Sequence, residues 1–221
     1  MSEKLKIAVI GGTGAEGSGL AARWAHAGHQ VTIGSRSAEK AQQAADELNG
    51  LLGAGRVGAS DNLAAARDAD VVVLTVPFQA QMSTVRDLQA VLAGKILVDV
   101  TVPLVPPKVS TVQLPAGGSC VVAVQQELGA GVRVVSAFQN VSAHKLKKLD
   151  QRIACDVLVC ADDKEARGVV VGLARDAGLR GIDAGPLANS AAAEAFTSLL
   201  IWINRTYKIP DAGVAITGLP E

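Results

Sequence analysis

Apolar positions change their spacing repeatedly along the chain, and each change predicts an element. Lys6 to Ile10 is a short, β-branched, nearly all-apolar run, whereas Leu20 to Ala27 recurs at helical spacing. That segment predicts a strand, a turn, a helix and a second strand ending near Gly34, Ser35 and Arg36. Further strands are predicted at Asp70 to Val76, Lys95 to Val100 and Val132 to Phe138, alternating with helices at Gln79 to Leu92 and Cys120 to Leu128. This alternation implies an α/β fold with a Rossmann-type, doubly wound parallel sheet. The run "VVVLTVPF" is apolar throughout, as a strand covered on both faces must be.

After Phe138 the pattern shifts. "QNVSAHKLKKLDQR" leads to a strand at "CDVLVC", a helix from Asp163 to Ala177, a short strand near Ile182 and a final helix. A boundary near residue 140 divides the chain into a nucleotide-binding domain, 1–140, and a small C-terminal α+β domain, 141–221. In "AFTSLLIWI", Phe196, Leu199, Leu200 and Ile203 share helical spacing and predict a helix buried deep inside or against a second subunit. The stretch is too short for a membrane span. "DVTVPLVPPK", Asp99 to Lys108, reads as a rigid loop, because its prolines lack N–H groups and restrict their predecessors.

The glycines give the first chemistry. Gly12, Gly14 and Gly17 form G-x-G-x-x-G between the first strand and its helix. In that context the first glycine permits a tight turn, the second lets a pyrophosphate approach the main chain, and the third lets helix and strand pack closely. The helix N-terminus offers free N–H groups to the phosphates. A site for NAD usually carries an acid about 20 residues later to hold the ribose 2′-hydroxyl. Here Ser35 and Arg36 stand at that place, with Lys40 one helical turn on, a set suited to a 2′-phosphate and hence to NADP(H). The plainer alternative makes Ser35 or Ser37 a helix N-cap and Arg36 and Lys40 a solvated face. Thr75, Val76 and Pro77 end a central strand, where an open sheet puts its ligand.

Composition narrows the partners. Apolar residues make up 49% of 221, enough for a substantial core, and 21 basic residues balance 21 acidic ones. Nothing in that balance points to nucleic acid or an anionic membrane. Three cysteines, Cys120, Cys155 and Cys160, and an opening without a signal segment point to the cytoplasm. Cys155 and Cys160, five apart on a strand, would face opposite ways, so they read as small buried hydrophobes, and no metal is expected. His26 and His29 read as surface or cap residues, and His144 as a solvated helix residue. No acid–base constellation emerges, leaving catalytic residues unassigned, and Tyr207 has Asp211 four positions on, so the Y-x-x-x-K pair of short-chain dehydrogenases is absent.

The blocks "GGTGAEGSGLAARWAHAGHQVTIGSRSAEKA", "LTVPF", "VSAFQNVSA" and "DAGPLANS" resemble, in order and over almost the whole chain, the NADPH-dependent reductases of coenzyme F420, a 5-deazaflavin hydride carrier. The resemblance implies a homodimer with NADP(H) and F420 meeting in a cleft between the two domains. It places Thr13, Gly14, Ala15 and Glu16 along the pyrophosphate, Ser35, Arg36 and Lys40 at the 2′-phosphate, and Val76 and Gln79 at the nucleotide's edge. Val102 and Ala143 would approach the nicotinamide, and Gln139, Asn140, Val141 and the backbone near Ala212 the deazaflavin. Relatives often carry His where this chain has Gln139, which puts the acceptor, more than NADP binding, at issue. The group His144, Lys145, Lys147, Lys148 and Arg152 could hold the acceptor's anionic tail, or be a solvated face. Other readings are an NADP-dependent reductase of a hydroxy acid, imine, flavin or ferric complex, with Lys145 or Lys148 as proton donor in the hydroxy-acid case, and a non-catalytic NADP sensor.

Overall fold

The computed structural model describes residues 4–53 and 55–219. Six parallel strands form the main sheet: β1 (Lys6–Ile10), β2 (Gln30–Ser35), β3 (Val57–Asp61), β4 (Val71–Leu74), β5 (Ile96–Asp99) and β6 (Arg133–Ser136). Their order is β3-β2-β1-β4-β5-β6, so the winding reverses between β1 and β4. Helices α1 (Ala15–His26), α2 (Ala38–Leu52), α3 (Asn62–Arg67), α4 (Phe78–Leu92) and α5 (Cys120–Leu128) connect the strands. The doubly wound parallel sheet is therefore present, with loops at the carboxyl ends of β1 and β4 flanking the switch point.

Beyond β6 lie α6 (Ala143–Leu146), β7 (Asp156–Val159), α7 (Lys164–Asp176), β8 (Arg180–Asp183) and α8 (Ser190–Tyr207). β7 and β8 make a second, two-stranded parallel sheet. One apolar cluster runs from Ile7, Trp24 and Val73 through Phe138 to Val157, Val170 and Leu173, joining the two sheets. The Ser136–Cys160 bridge continues that junction through the backbone.

Periodicity located the buried strands well, and three features differ from it. β3 and α3 escape the hydrophobic pattern because β3 is a sheet edge that fully buries only Val57. His29 is buried instead of lying at the surface: its Nδ1 accepts from Leu5 N, and its Nε2 lies 3.0 Å from Asp176 Oδ2. The final helix is not buried deep inside. Its inner face consists of Ala193, Glu194, Ser198 and Leu200, while Leu199 is 48% and Trp202 60% exposed.

Helix α1 is fastened from within by a charged side chain. Buried Arg23 donates to the carbonyls of Leu146, Ala177, Lys145, Lys148 and Gln151, tying the segment after β6 to the first helix. Its neighbour Trp24 donates to Leu173 O at 2.9 Å and meets Phe138 edge to face, centroids 5.7 Å apart.

Candidate active site

The loop after β1 is shaped by glycines in distinct ways. Gly12 lies in the tight turn, and the left-handed conformation within it, φ +76°, falls to the preceding Gly11. Gly12 is buried behind the loop, where a Cβ would stand 2.8 Å from Val9 O. A Cβ on Gly17 would run into Thr75 Oγ1 and stand 2.8 Å from Gly12 Cα, so this glycine lets α1 seat against the end of β4. Gly14, the residue before α1, has no other atom within 3.6 Å of its Cβ position and faces a cavity instead.

That cavity, about 910 Å³, opens at the carboxyl ends of the strands. Thr13, Gly14, Ala15, Glu16 and Gly17 form one wall with Ser35, Arg36 and Lys40. Thr75, Val76, Pro77, Gln79 and Val102 line its middle, and Gln139, Asn140, Val141, Ala143 and Ala212 its far end. Of the residues placed on the nucleotide and the acceptor from the sequence, Gly12 stands outside the lining; of the basic group after residue 143, His144 lines the cavity and Lys145, Lys147, Lys148 and Arg152 do not. Sequence reasoning missed Asn62, Thr101, Phe138, Thr197, Asn204 and Pro210, which also line it. No local pattern marks them, since each arrives from a different part of the chain.

The two ends differ in polarity. At one end Arg36 and Lys40 are exposed and engage no protein acceptor among the described residues. Ser37 caps α2 by accepting from Lys40 N at 3.3 Å, so the capping role falls to it, while Ser35 Oγ accepts from Ser37 N. At the other end Phe138 is buried with φ +73°, a left-handed conformation that is strained for an aromatic residue. That turn presents two buried amides. Gln139 Nε2 donates to Asp99 O at 2.7 Å and Asn140 Nδ2 to Asp156 O at 2.6 Å, leaving Gln139 Oε1 and Asn140 Oδ1 unpartnered. Gln139 O accepts from Thr197 of α8, and Asn204 Oδ1 accepts from Ala212 N, which holds the C-terminal tail against the cavity. The Lys145–Asp211 ion pair fastens the same tail to α6.

Three ionisable groups around this site are displaced by burial. Glu16 has one carboxyl oxygen enclosed without a partner, and burial pushes its pKa up to about 8. Asp99, beneath the floor, is raised to about 6 because desolvation outweighs the bonds it accepts from Thr101 N and Gln81 Nε2. Cys155, buried between Asn140 and Gly213, is also raised by burial. Cys160 is raised to about 11, so all three cysteines are buried, protonated thiols.

The arrangement suits a dinucleotide. Cations free of protein partners, an open glycine backbone and a long, partly apolar trough meet the needs of phosphates at one end and rings at the other. A family described as NADP oxidoreductase, coenzyme F420-dependent, matches residues 6–103. The F420-dependent NADP reductase of Methanocaldococcus jannaschii is 42% identical over 223 residues, covering 97% of this chain and 99% of the relative. That of Methanothermobacter thermautotrophicus is 42% identical over 224 residues, covering 98% and 97%. A crystal structure from Arthrobacter sp. FB24, provisionally assigned to the same activity, superposes with a TM-score of 0.80 at 25% identity, covering 96% of this chain and all of that one. The fold with its switch-point cavity and the near-complete overlap with these relatives agree, and the chain belongs to the F420-dependent NADP reductase family.

Proposed function

We propose that this oxidoreductase exchanges hydride between NADP(H) and coenzyme F420, with both held in the cavity at the switch point. The observation that carries the reading is the polarity of that cavity: unpaired Arg36 and Lys40 at one end, buried amides and apolar walls at the other. Thr13 to Gly17 cradle the pyrophosphate, with Gly12 as support from behind, and Ser35, Arg36 and Lys40 take the 2′-phosphate. Thr75, Val76, Pro77 and Gln79 border the nucleotide, while Val102 and Ala143 flank the nicotinamide.

When bound, the two cofactors supply both reacting carbons. The chain's task is to hold the rings in register and exclude water, and orientation is the main source of rate. Gln139, Asn140, Val141 and the Ala212 backbone form the acceptor end. Asp99 O fixes the orientation of the Gln139 amide, which turns Oε1 into an acceptor for a ring N–H. The Gln139 position thus remains compatible with a deazaflavin. Residues 141–221 act as the smaller unit that completes this end.

Absorbance gives the direct test. Purified protein with NADPH is expected to bleach the visible band of oxidised F420 rapidly, with far slower reaction from NADH and none with free flavins. Binding of NADPH without bleaching of F420 would overturn the acceptor assignment.

A homodimer belongs to the same proposal, supported by the exposed Leu199 and Trp202 on α8 and by Tyr207 and Ile209 beyond them. Such an apolar row on a soluble surface marks a contact. Light scattering after gel filtration should give twice the chain mass, and Trp202→Glu should shift it to the monomer. A cytoplasmic setting completes the reading, in keeping with three free thiols. Among the described residues no helix is long and apolar enough to cross a membrane.

A further inference from the structure

Glu16 is the second residue of α1, in the turn whose N–H groups face the cavity. Among the described residues no group donates to its carboxyl, and Oε1 is fully enclosed. An ionised carboxylate in this place is doubly unfavourable. It is desolvated without compensation, and it stands beside the position that a pyrophosphate anion takes under the proposed cofactor placement.

The charged and titratable groups around this end of α1 do not relieve it. Arg36 and Lys40 lie along the same cavity, as does His144 of α6, and Lys145 is committed to Asp211. Burial is the cause of the Glu16 shift, with no cation opposing it. The Cys155 thiol, itself raised by burial, registers the carboxylate as a further destabilising charge. Such an environment favours the neutral acid, and a neutral acid has a hydroxyl to donate.

We propose that Glu16 binds the cofactor as a neutral carboxylic acid, donating its hydroxyl to a pyrophosphate oxygen, so that association of NADP(H) takes up one proton from solvent at alkaline pH. The inference rests on the dinucleotide reading of this cavity. It turns a like-charge repulsion into a hydrogen bond and links cofactor affinity to pH. The sign follows from the raised pKa: the competent form dominates below about pH 8 and is lost as pH rises through that value. Affinity is therefore flat near neutrality and weakens by about tenfold per pH unit well above the pKa.

Titration calorimetry with NADPH, in two buffers of different ionisation enthalpy, reads both quantities without turnover. Wild-type protein should take up roughly half a proton at pH 8, approach one at pH 9, and lose about tenfold in affinity between pH 7 and 9. Glu16→Gln keeps the shape and a hydrogen-bond donor; it should abolish the uptake and flatten the profile. Absence of uptake by the wild type, or its persistence in Glu16→Gln, overturns the proposal, and the wild-type measurement decides even where the variant does not fold. Arg36→Ala separates the two layers. If NADPH fails to bind the wild type, or binds Arg36→Ala as tightly, the cofactor placement itself is wrong and the Glu16 assignment falls with it.

Discussion

Under the proposed cofactor placement the cavity has a phosphate end and a ring end, and they are built on opposite principles. Gly11 to Gly17 and Ser35 to Lys40 are two short, continuous segments at the ends of adjacent parallel strands, with their cations exposed. The ring end draws on Gln139 and Asn140 after β6, Thr197 and Asn204 on α8, and Ala212 in the tail, and its two amides are buried. A phosphate is recognised by charge and by backbone N–H groups, which a single turn of chain can present. A flat ring is recognised by shape and by a few fixed polar atoms, which require walls from several directions. The phosphate end is therefore local and adaptable, and the ring end is only as accurate as the packing beneath it.

Three substitutions probe that contrast, taken from the largest effect to the smallest. Arg23→Ala removes the guanidinium that gathers five carbonyls behind the ring end; the Lys145 and Lys148 carbonyls keep a backbone donor, and those of Leu146, Ala177 and Gln151 lose the one that Arg23 supplies. A loss of about 3–5 kcal/mol in unfolding free energy is expected, visible in urea denaturation, because buried groups that lose a charged partner are costly. A change under about 0.5 kcal/mol, the range of an ordinary surface substitution, would mean that the ring end does not depend on this clamp.

Arg36→Ala acts at the phosphate end alone. It should weaken NADPH by about 10- to 100-fold in a fluorescence titration, with little change for NADH and none in melting temperature. Equal loss for both nucleotides would remove the 2′-phosphate assignment and, with it, the polarity of the cavity. Asn204→Ala loosens the tail beside the cavity by deleting the acceptor for Ala212 N, while the Lys145–Asp211 pair stays in place. The expected result is a rise of roughly 3- to 10-fold in KM for F420, the worth of one net hydrogen bond, with KM for NADPH unchanged. A rise in both would show that the two ends are mechanically one.

Legibility followed the same division. β1, α5 and the boundaries of the glycine loop could be read from spacing alone, and so could the serine and cations after β2. The turn includes Gly12 as read, but its left-handed residue is Gly11, where a Cβ would also run into Val76 and the Thr75 carbonyl, a contact between strands. α8 reads from its apolar content as a helix buried deep inside or against a second subunit, and the first of these does not hold. Its inward face instead carries Glu194, which accepts from Ser119 Oγ and Cys120 N at the start of α5, so a polar network sets the helix's rotation. His29 reads locally as a surface or cap residue, whereas in the fold it is buried against Asp176, distant in sequence.

The sequence by itself determined what contiguous chain can determine: the alternation of buried strands and helices, the glycine loop, the exposed cations that follow β2 and the family resemblance. Those features depend on interactions between near neighbours, whose geometry is set by the backbone repeat. Tertiary structure decided that Arg23 clamps carbonyls more than 120 residues away, that Phe138 is held in a left-handed turn, and that Gln139 shows its oxygen and not its nitrogen. It also decided that Glu16 Oε1 is enclosed without a partner among the described residues. Each of these is a question of which polar atom meets which partner once water is gone, and burial, which sets the cost of an unmet one, exists only in the folded chain.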